Sequence, residues 1–260
     1  MREIPITEQD AGRRLDRFLN RLLPVAGTGF LYKMLRKKNI TLNNAKAAGT
    51  ETLEAGDVVR IWFSDETYDK FSGRIPNIGE EKKTETKAER KVKETYELSI
   101  LFEDQHVIVI DKQAGLLSQK SAAEDTSVNE LLLEHLGFKS DCGCAQKIFR
   151  PSACHRLDRN TSGVLVCGKT YKGLKSMTDM IRLREVEKYY LCLVRGETPE
   201  NFTLRDHLLK ERGENIVTVV PEGTPKAKEA VLEAETLGTA NGISLLRVRL
   251  VTGRSHQHCL

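Results

Sequence analysis

A run of charged residues near the middle of this 260-residue chain limits how the chain can fold. Residues 80–96, EEKKTETKAERKVKETY, mix acids and bases and contain almost no apolar side chains. Such a segment cannot bury enough apolar surface to form a core. It is either an exposed helix with opposite-charge pairs or a flexible tether. We therefore predict two folded parts, residues 1–65 and 98–260, joined by a charged linker over residues 66–97.

The composition is that of a soluble globular protein. Charged residues make up 30% of the chain, hydrophobic residues 39%, and the formal net charge is +4. With so small a net charge, a nucleic-acid site must show as a local cluster of cations. No apolar run reaches the roughly 18 residues of a membrane-spanning helix, and no apolar segment follows the first charges as in a secretory signal. We expect a cytoplasmic protein without a membrane partner, and a monomer.

The six cysteines do not form a disulfide framework. Several fall in predicted strands of a large chain, so we interpret them as reduced thiols. Cys142 and Cys144, with Cys154 and His155, resemble a zinc cluster only in part. The first pair has one intervening residue, where structural zinc sites usually have about two to four. Because no second well-spaced pair completes the ligands, the sequence predicts no metal.

Two amphipathic helices are predicted in the N-terminal part, over residues 12–23 and 30–38. Apolar residues recur there at three- and four-residue steps. Like charges on neighbouring helices repel unless they meet an anion, and a phosphate backbone is the candidate anion. A solvated basic surface is the alternative. The cations predicted to bind nucleic acid are Arg13, Arg14, Arg17, Lys33, Arg36, Lys37 and Lys38.

Short strands complete this part of the chain. Residues 40–42 lead into a turn at Asn43 and Asn44, and residues 57–63 form the closing strand. The succession RLDRFLNRLLP, FLYKMLRKKNITLNN and LEAGDVVRI resembles the alpha-L, ribosomal-protein-S4-type RNA-binding module over residues 13–63. The resemblance implies that the two helices bind structured RNA through its shape and its phosphates.

The C-terminal part contains many strands and few helices. This pattern favours a mixed, mostly antiparallel sheet with flanking helices. The predicted fold class is therefore α+β, a small RNA-binding module followed by a sheet domain. The predicted strands span residues 97–104, 107–112, 164–167, 186–194, 216–220, 230–236 and 244–250, and the predicted helices span 126–136 and 171–183.

Residues 155–163, HRLDRNTSG, contain the best candidate for a reactive group. Asp158 lies between Arg156 and Arg159, and a polar turn leads from it into an apolar strand. Neighbouring cations favour the charged form of a carboxylate, which suits a nucleophile or base that acts on an anionic substrate. From spacing alone, an ion pair that ties the turn to the strand is an open alternative.

The segment RPSACHRLDRNTSGVLV resembles the signature of the RluA-type pseudouridine synthases. Two further segments follow in the expected order. KYYLCLVRG at residues 188–196 resembles the family's K-x-Y strand, and LVTGRSHQ at residues 250–257 resembles its L-x-T-G-R-T-H-Q motif. The resemblance implies isomerisation of uridine to pseudouridine in RNA, without a metal or an organic cofactor. The N-terminal module favours ribosomal RNA of the large subunit as the target, and transfer RNA is the open alternative.

The resemblance also implies roles for single residues. Asp158 is the nucleophile, which attacks either the uracil ring or the anomeric carbon of the ribose. Tyr190 stacks on the uracil and assists proton removal, while Arg254 pairs with the carboxylate of Asp158. A uridine in folded RNA must first be flipped out, and Arg156 fills the space it leaves. We interpret His155 as a hydrogen-bonded turn residue.

The chain departs from the family pattern at its C-terminus. The family's third motif continues into an apolar strand and several tens of further residues, whereas three residues follow Gln257 here. Ser255 also replaces the usual threonine. We therefore expect a chain truncated at the C-terminus, as a fragment, a premature end or a diverged short form. A catalytically impaired RNA-binding or ribosome-assembly factor is the alternative function, although Arg254, as a partner for Asp158, favours the enzyme.

Overall fold

The computed structural model describes residues 1–73, 96–122, 125–138, 149–210 and 217–254. The chain forms two compact units, residues 1–179 and 180–260. Much of the predicted linker over residues 66–97 lies outside the described residues. The division of the chain at that linker therefore stays a prediction.

Helices and strands of the N-terminal segment share one hydrophobic core. The elements are β1 (Arg2–Pro5), α1 (Leu15–Leu22), α2 (Thr28–Arg36), β2 (Ile40–Leu42), β3 (Ala45–Lys46), β4 (Val58–Ile61) and α3 (Asp65–Ser72). The strands form an antiparallel sheet in the order β1-β4-β2-β3. The apolar stripe predicted for the first helix is confirmed, because four of its residues are buried in the core: Leu15, Phe18, Leu19 and Leu22.

A second antiparallel sheet completes the first unit. Its elements are β5 (Ser99–Glu103), β6 (Val107–Lys112), α4 (Val128–His135), β7 (Ser152–Ala153), β8 (Gly163–Gly168) and α5 (Tyr171–Arg182). The strand order is β5-β6-β8-β7, so β8 has a hydrogen-bonded neighbour on each side. Leu165 and Cys167 of β8 are fully buried. The loop that enters β8 is therefore attached to an interior strand.

Helix α5 approaches this sheet so closely that two glycines are required. A Cβ atom on Gly173 would lie 2.2 Å from the carbonyl oxygen of His106. A Cβ atom on Gly168 would lie 2.5 Å from the Cα atom of Leu174. No side chain fits at these distances, and only glycine allows such an approach. The close contact fixes α5 beside the strand that follows the Asp158 loop.

The second unit contains a five-stranded antiparallel sheet. The strands are β9 (Tyr189–Arg195), β10 (Asn201–Lys210), β11 (Val217–Val220), β12 (Lys228–Ala240) and β13 (Ile243–Leu250). They lie in the order β11-β10-β12-β13-β9. Within the described residues, β9 is therefore an edge strand that pairs with β13 alone. Its small core consists of Ala234, Leu246, Val248 and Leu250.

The predicted α+β class is confirmed, with antiparallel sheets and few helices. The prediction of one mixed sheet over residues 98–260 differs from the structure. The described strands of this segment form two sheets, one in each unit, and all their named ladders are antiparallel. Strand β10 was not predicted, because its sequence NFTLRDHLLK lacks a regular alternation of apolar and polar residues.

Candidate active site

The loop that carries Asp158, residues 154–162, joins β7 to β8. At its start, the backbone N–H of Cys154 donates to the carbonyl of Val166 at 2.8 Å. The backbone N–H of Val166 in turn donates to Nε2 of His155 at 3.2 Å. His155 is thus a hydrogen-bonded turn residue, as predicted. These bonds attach the start of the loop to the interior strand.

A single buried hydroxyl fixes the residue before Asp158. Oγ of Ser118 donates to the carbonyl of Leu157 at 2.8 Å and accepts from the backbone N–H of Leu157 at 3.1 Å. Ser118 and Leu157 are 3% and 6% exposed. The backbone N–H of Thr161 then donates to the carbonyl of Asp158 at 3.1 Å, which closes a turn. The main chain is therefore fixed on both sides of the carboxylate.

Lys112 is a buried cation beside this loop, and its role was not predicted from the sequence. The residue is 1% exposed, and its Nζ donates to the carbonyls of Gln113, Leu116 and Arg159 at 3.0, 2.8 and 3.0 Å. Burial lowers the pKa of Lys112, and the charge of Asp158 opposes that shift. The ammonium group therefore anchors the loop through Arg159 and attracts the carboxylate.

A signal for Lys112 exists in the sequence. Successive side chains of a strand point to opposite faces of the sheet. Lys112 consequently shares a face with Ile108 and Ile110, and all three are buried. A lysine in register with a buried isoleucine pair is unusual, because buried lysines need partners. That register indicates a cation with a specific internal role.

The two arginines that flank Asp158 lie in different surroundings. The guanidinium of Arg159 lies 3.9 Å from a carboxylate oxygen of Asp125, with its side chain 57% exposed. Arg156 is exposed. The Asp158 residue is half-buried, and its Oδ2 atom is buried. The buried positive charge close to Asp158 thus comes from Lys112, which the flanking sequence does not show.

Tyr190 and Arg254 belong to the second unit, whereas Asp158 belongs to the first. Tyr190 is half-buried on β9, pairs with Val248 in the ladder and packs against the core of its sheet. Arg254 follows β13, and its Nε donates to the carbonyl of Glu229 at 2.9 Å. The roles implied for Tyr190 and Arg254 stay predictions. The last part of the third motif, residues 255–257, lies outside the described residues.

Six of the seven predicted RNA-binding cations of the N-terminal segment are exposed: Arg14, Arg17, Lys33, Arg36, Lys37 and Lys38. Arg14 forms an ion pair with Asp16 at 2.8 Å. The hydroxyl of Tyr32, on α2, donates to the same carboxylate at 3.0 Å. Asp16 therefore connects the two helices and holds their basic surfaces side by side.

Arg13 departs from the prediction that it lies within a helix over residues 12–23. The helix begins at Leu15 instead of residue 12, so Arg13 precedes it and turns inward. Arg13 is 4% exposed and lies 3.4 Å from a carboxylate oxygen of Asp10. Its guanidinium carbon lies 4.7 Å from the ring centre of Tyr171 and 5.8 Å from that of Phe149. Arg13 thus connects the N-terminal segment to the rest of the first unit.

Neither a metal-binding cluster nor a membrane-spanning helix is found in the described part of the chain. No group of three or more histidine, cysteine, aspartate or glutamate residues lies close enough there to hold a metal ion. Cys142 and Cys144 lie outside the described residues, and Cys154 and Cys167 are free thiols. No described helix is both long and apolar enough to cross a membrane.

Comparison with known sequences identifies the family. The RNA pseudouridylate synthase profile matches residues 106–258, more than half of the chain and the whole Asp158 loop. The chain belongs to the RNA pseudouridylate synthase family. It is therefore an enzyme of the class that isomerises uridine to pseudouridine in RNA.

Individual relatives match nearly the whole chain. Ribosomal large subunit pseudouridine synthase C of Escherichia coli is 31% identical in an alignment that covers 98% of this chain and 73% of the relative. An uncharacterized RNA pseudouridine synthase of Mycoplasma pneumoniae is 30% identical, in an alignment that covers 94% of this chain and 72% of the relative's length. Among solved structures, human RNA pseudouridylate synthase domain containing 4 aligns with a TM-score of 0.48 and 22% identity. That alignment covers 62% of this chain and 61% of the human chain. The family assignment rests on the sequence matches.

Proposed function

We propose that this synthase converts uridines of large-subunit ribosomal RNA, and that Asp158 is its nucleophile. The observation that carries the proposal is that buried groups hold the main chain on both sides of Asp158. Ser118 and Lys112 hold the main chain on either side of it, and Lys112 adds a positive charge nearby. A relative named as a ribosomal large subunit pseudouridine synthase, which matches 98% of the chain, supports the choice of RNA.

The proposed reaction replaces the bond between N1 of the base and the ribose with a bond between C5 of the base and the ribose. The carboxylate of Asp158 attacks either the uracil ring or the anomeric carbon of the ribose, and the bond between N1 and the ribose breaks. The base then rotates, and its C5 atom forms the new bond to the ribose. The bond that Asp158 formed breaks, which frees its carboxylate. The C5 proton leaves and N1 gains a proton, so uridine and pseudouridine have the same atoms. A charged carboxylate is needed for the attack, and a nearby cation favours that form.

Three further residues complete the proposed site. Tyr190 stacks on the uracil and assists removal of the C5 proton. Arg254 pairs with Asp158 and aims its carboxylate, since arginine binds a carboxylate with two parallel hydrogen bonds. Arg156 occupies the space that the flipped uridine leaves, and its exposure is compatible with insertion into RNA.

The N-terminal segment is proposed to be an S4-type RNA-binding module. Support comes from the exposed cations of α1 and α2, which Asp16 holds together through Arg14 and Tyr32. Such a surface binds structured RNA through phosphates and shape. The relatives of Escherichia coli and Mycoplasma pneumoniae come from bacteria, whose ribosomal RNA is made in the cytoplasm, and we propose the same location for this enzyme.

Carbodiimide mapping of pseudouridine tests the proposed substrate. Ribosomal RNA is compared between cells with the protein, cells without it, and cells that carry Asp158→Ala. We expect at least one large-subunit site to disappear in the second and third strains. If every site persists without the protein while the purified chain still binds the RNA, the impaired assembly factor is the better account. If the lost sites lie in transfer RNA, the reaction stands and the proposed substrate is wrong.

A further inference from the structure

A basic cavity lies in the first unit, between α1 and the segment that enters β7. Its volume is about 820 Å³. Cations from distant parts of the sequence line it: Arg17 and Arg21 from the N-terminal segment, and Lys120 and Arg150 from the segment that carries the active-site sheet. The described lining residues include one carboxylate, that of Glu130. The cavity is therefore lined by positive charges from two segments that are far apart in the sequence.

Most of this charge has no protein counterion. Glu130 forms its ion pair with Lys120, so these two charges offset each other. Arg17, Arg21 and Arg150 are exposed, and none forms an ion pair with a carboxylate in the described part of the chain. Three guanidiniums thus face solvent around one concave surface. Guanidiniums bind phosphate in a planar, two-pronged geometry.

The two sides of the cavity are held at a fixed separation by Arg13. Its buried guanidinium lies against the rings of Phe149 and Tyr171 and pairs with Asp10. The backbone N–H of Tyr171 also donates to the carbonyl of Gln9 at 3.0 Å. Helix α1 begins two residues after Arg13. These contacts therefore determine where the cations of α1 lie relative to Arg150, which follows Phe149 directly.

The electrostatics of Arg13 reflect the same accumulation of positive charge. Burial lowers the pKa of Arg13, and Asp10 opposes the shift, but the charge of Arg21 lowers that pKa further. Arg21 is consequently close enough to Arg13 to repel it. An anion bound in the cavity would reduce this repulsion.

We propose that this cavity binds a phosphodiester backbone of the RNA substrate, through Arg17, Arg21 and Arg150. The inference rests on the proposed function and adds a contact region to it. The cavity is much larger than one phosphate group and presents three separate guanidiniums. This arrangement suits the repeated phosphates of a strand better than a lone anion.

The test compares arginine-to-glutamine variants in RNA binding. Arg21→Gln, Arg150→Gln and their combination are measured against a transcript of large-subunit ribosomal RNA at several salt concentrations. Each single change is expected to weaken binding about fivefold, as for loss of one exposed charge contact. The slope of log K against log salt should fall by about 0.7–0.9 for each lost contact. Arg205→Gln, an exposed arginine on β10 outside the proposed site, is the matched control and should bind as the wild type does.

Two outcomes overturn the proposal. One is a double variant whose affinity and salt slope equal those of the wild type. The other is an equal loss of affinity in the control Arg205→Gln, because the effect would then come from the total charge of the protein and not from the cavity. Circular dichroism checks that the variants fold.

Failure of the proposed function gives a different result. In that case the wild type binds the transcript, with the expected loss in the variants, but forms no pseudouridine in it. If both proposals hold, the double variant has a raised KM for the transcript while kcat at saturating RNA is unchanged.

Discussion

The loop before β8 and the strand β9 carry different parts of the proposed site, and they are supported in opposite ways. Strand β8 is paired on both sides, and Leu165 and Cys167 are fully buried in it. Strand β9 is paired on one side within the described residues. Its outward residues Tyr189, Leu191 and Leu193 are 54%, 70% and 73% exposed.

The difference indicates two ways of placing a functional side chain. Asp158 depends on burial, because its loop is attached to an interior strand and to the buried groups of Ser118 and Lys112. Tyr190 depends on its ladder and on a small core. Edge strands expose unpaired backbone groups and open more readily. We therefore expect the position of Asp158 to be the more stable of the two.

The largest expected contrast comes from shortening one leucine in each strand. Leu165→Ala in β8 should lower the free energy of unfolding by about 2–5 kcal/mol, because it leaves a cavity in a packed core. Leu193→Ala in β9 should change it by about 0.5 kcal/mol or less, since the side chain is already exposed. Urea unfolding of both variants measures the difference. Equal losses would show that the two strands are not supported differently.

A second comparison replaces one lysine beside the loop that enters β8 and one lysine beside β9. Lys112→Met removes three hydrogen bonds to carbonyl groups and should cost about 1–3 kcal/mol. It should also lower kcat, because the Asp158 loop loses its anchor and its neighbouring charge. Lys188→Met, at a half-buried lysine just before β9, should cost about 0.5 kcal/mol or less. If Lys112→Met keeps the wild-type stability and kcat, Lys112 does not anchor the Asp158 loop.

The pH dependence of stability gives a contrast that appears only above pH 9. Burial raises the pKa of the Cys167 thiol on β8 from 9.0 to about 12. Above pH 9 the unfolded chain loses this proton while the folded chain keeps it. The stabilisation is thus complete below pH 9 and is lost as the pH rises toward 12, by at most about 1.4 kcal/mol per pH unit.

Cysteine variants test how much the Cys167 thiol contributes to the pH dependence of stability. The free energy of unfolding of Cys167→Ala should fall less steeply above pH 9 than that of the wild type. Cys192→Ala makes the same change on β9 and is the control. An unchanged slope in Cys167→Ala would mean that its thiol does not contribute to the pH dependence.

Local patterns predicted much of the fold. The helical periodicity of residues 12–23, the β-branched run at residues 107–112 and the turn at Asn43 and Asn44 all correspond to elements of the structure. The two asparagines have φ values of 49° and 64° and join β2 to β3. Asparagine tolerates this left-handed backbone. Each of these features is determined by residues close together in the sequence.

Features that depend on distant residues were not predictable in the same way. The burial of Arg13 requires Phe149 and Tyr171, which no local pattern connects with it. The anchoring by Lys112 likewise requires the carbonyl of Arg159, 47 residues further along the chain. Asp158 could be proposed as a candidate from the sequence because its motif is continuous, whereas the position of the buried cation beside it could not be predicted.

Activity of an Asp158→Asn variant tests the central claim most directly. The substrate is a ribosomal RNA transcript labelled with tritium at C5 of uridine, since the isomerisation releases that hydrogen. With folding verified by thermal melting, we predict a rate at least about 10³-fold below that of the wild type. Asp111→Asn, at an exposed aspartate on β6, is the matched control and should keep the wild-type rate. Tritium release by Asp158→Asn within about tenfold of the wild type would contradict the assignment of Asp158 as the nucleophile.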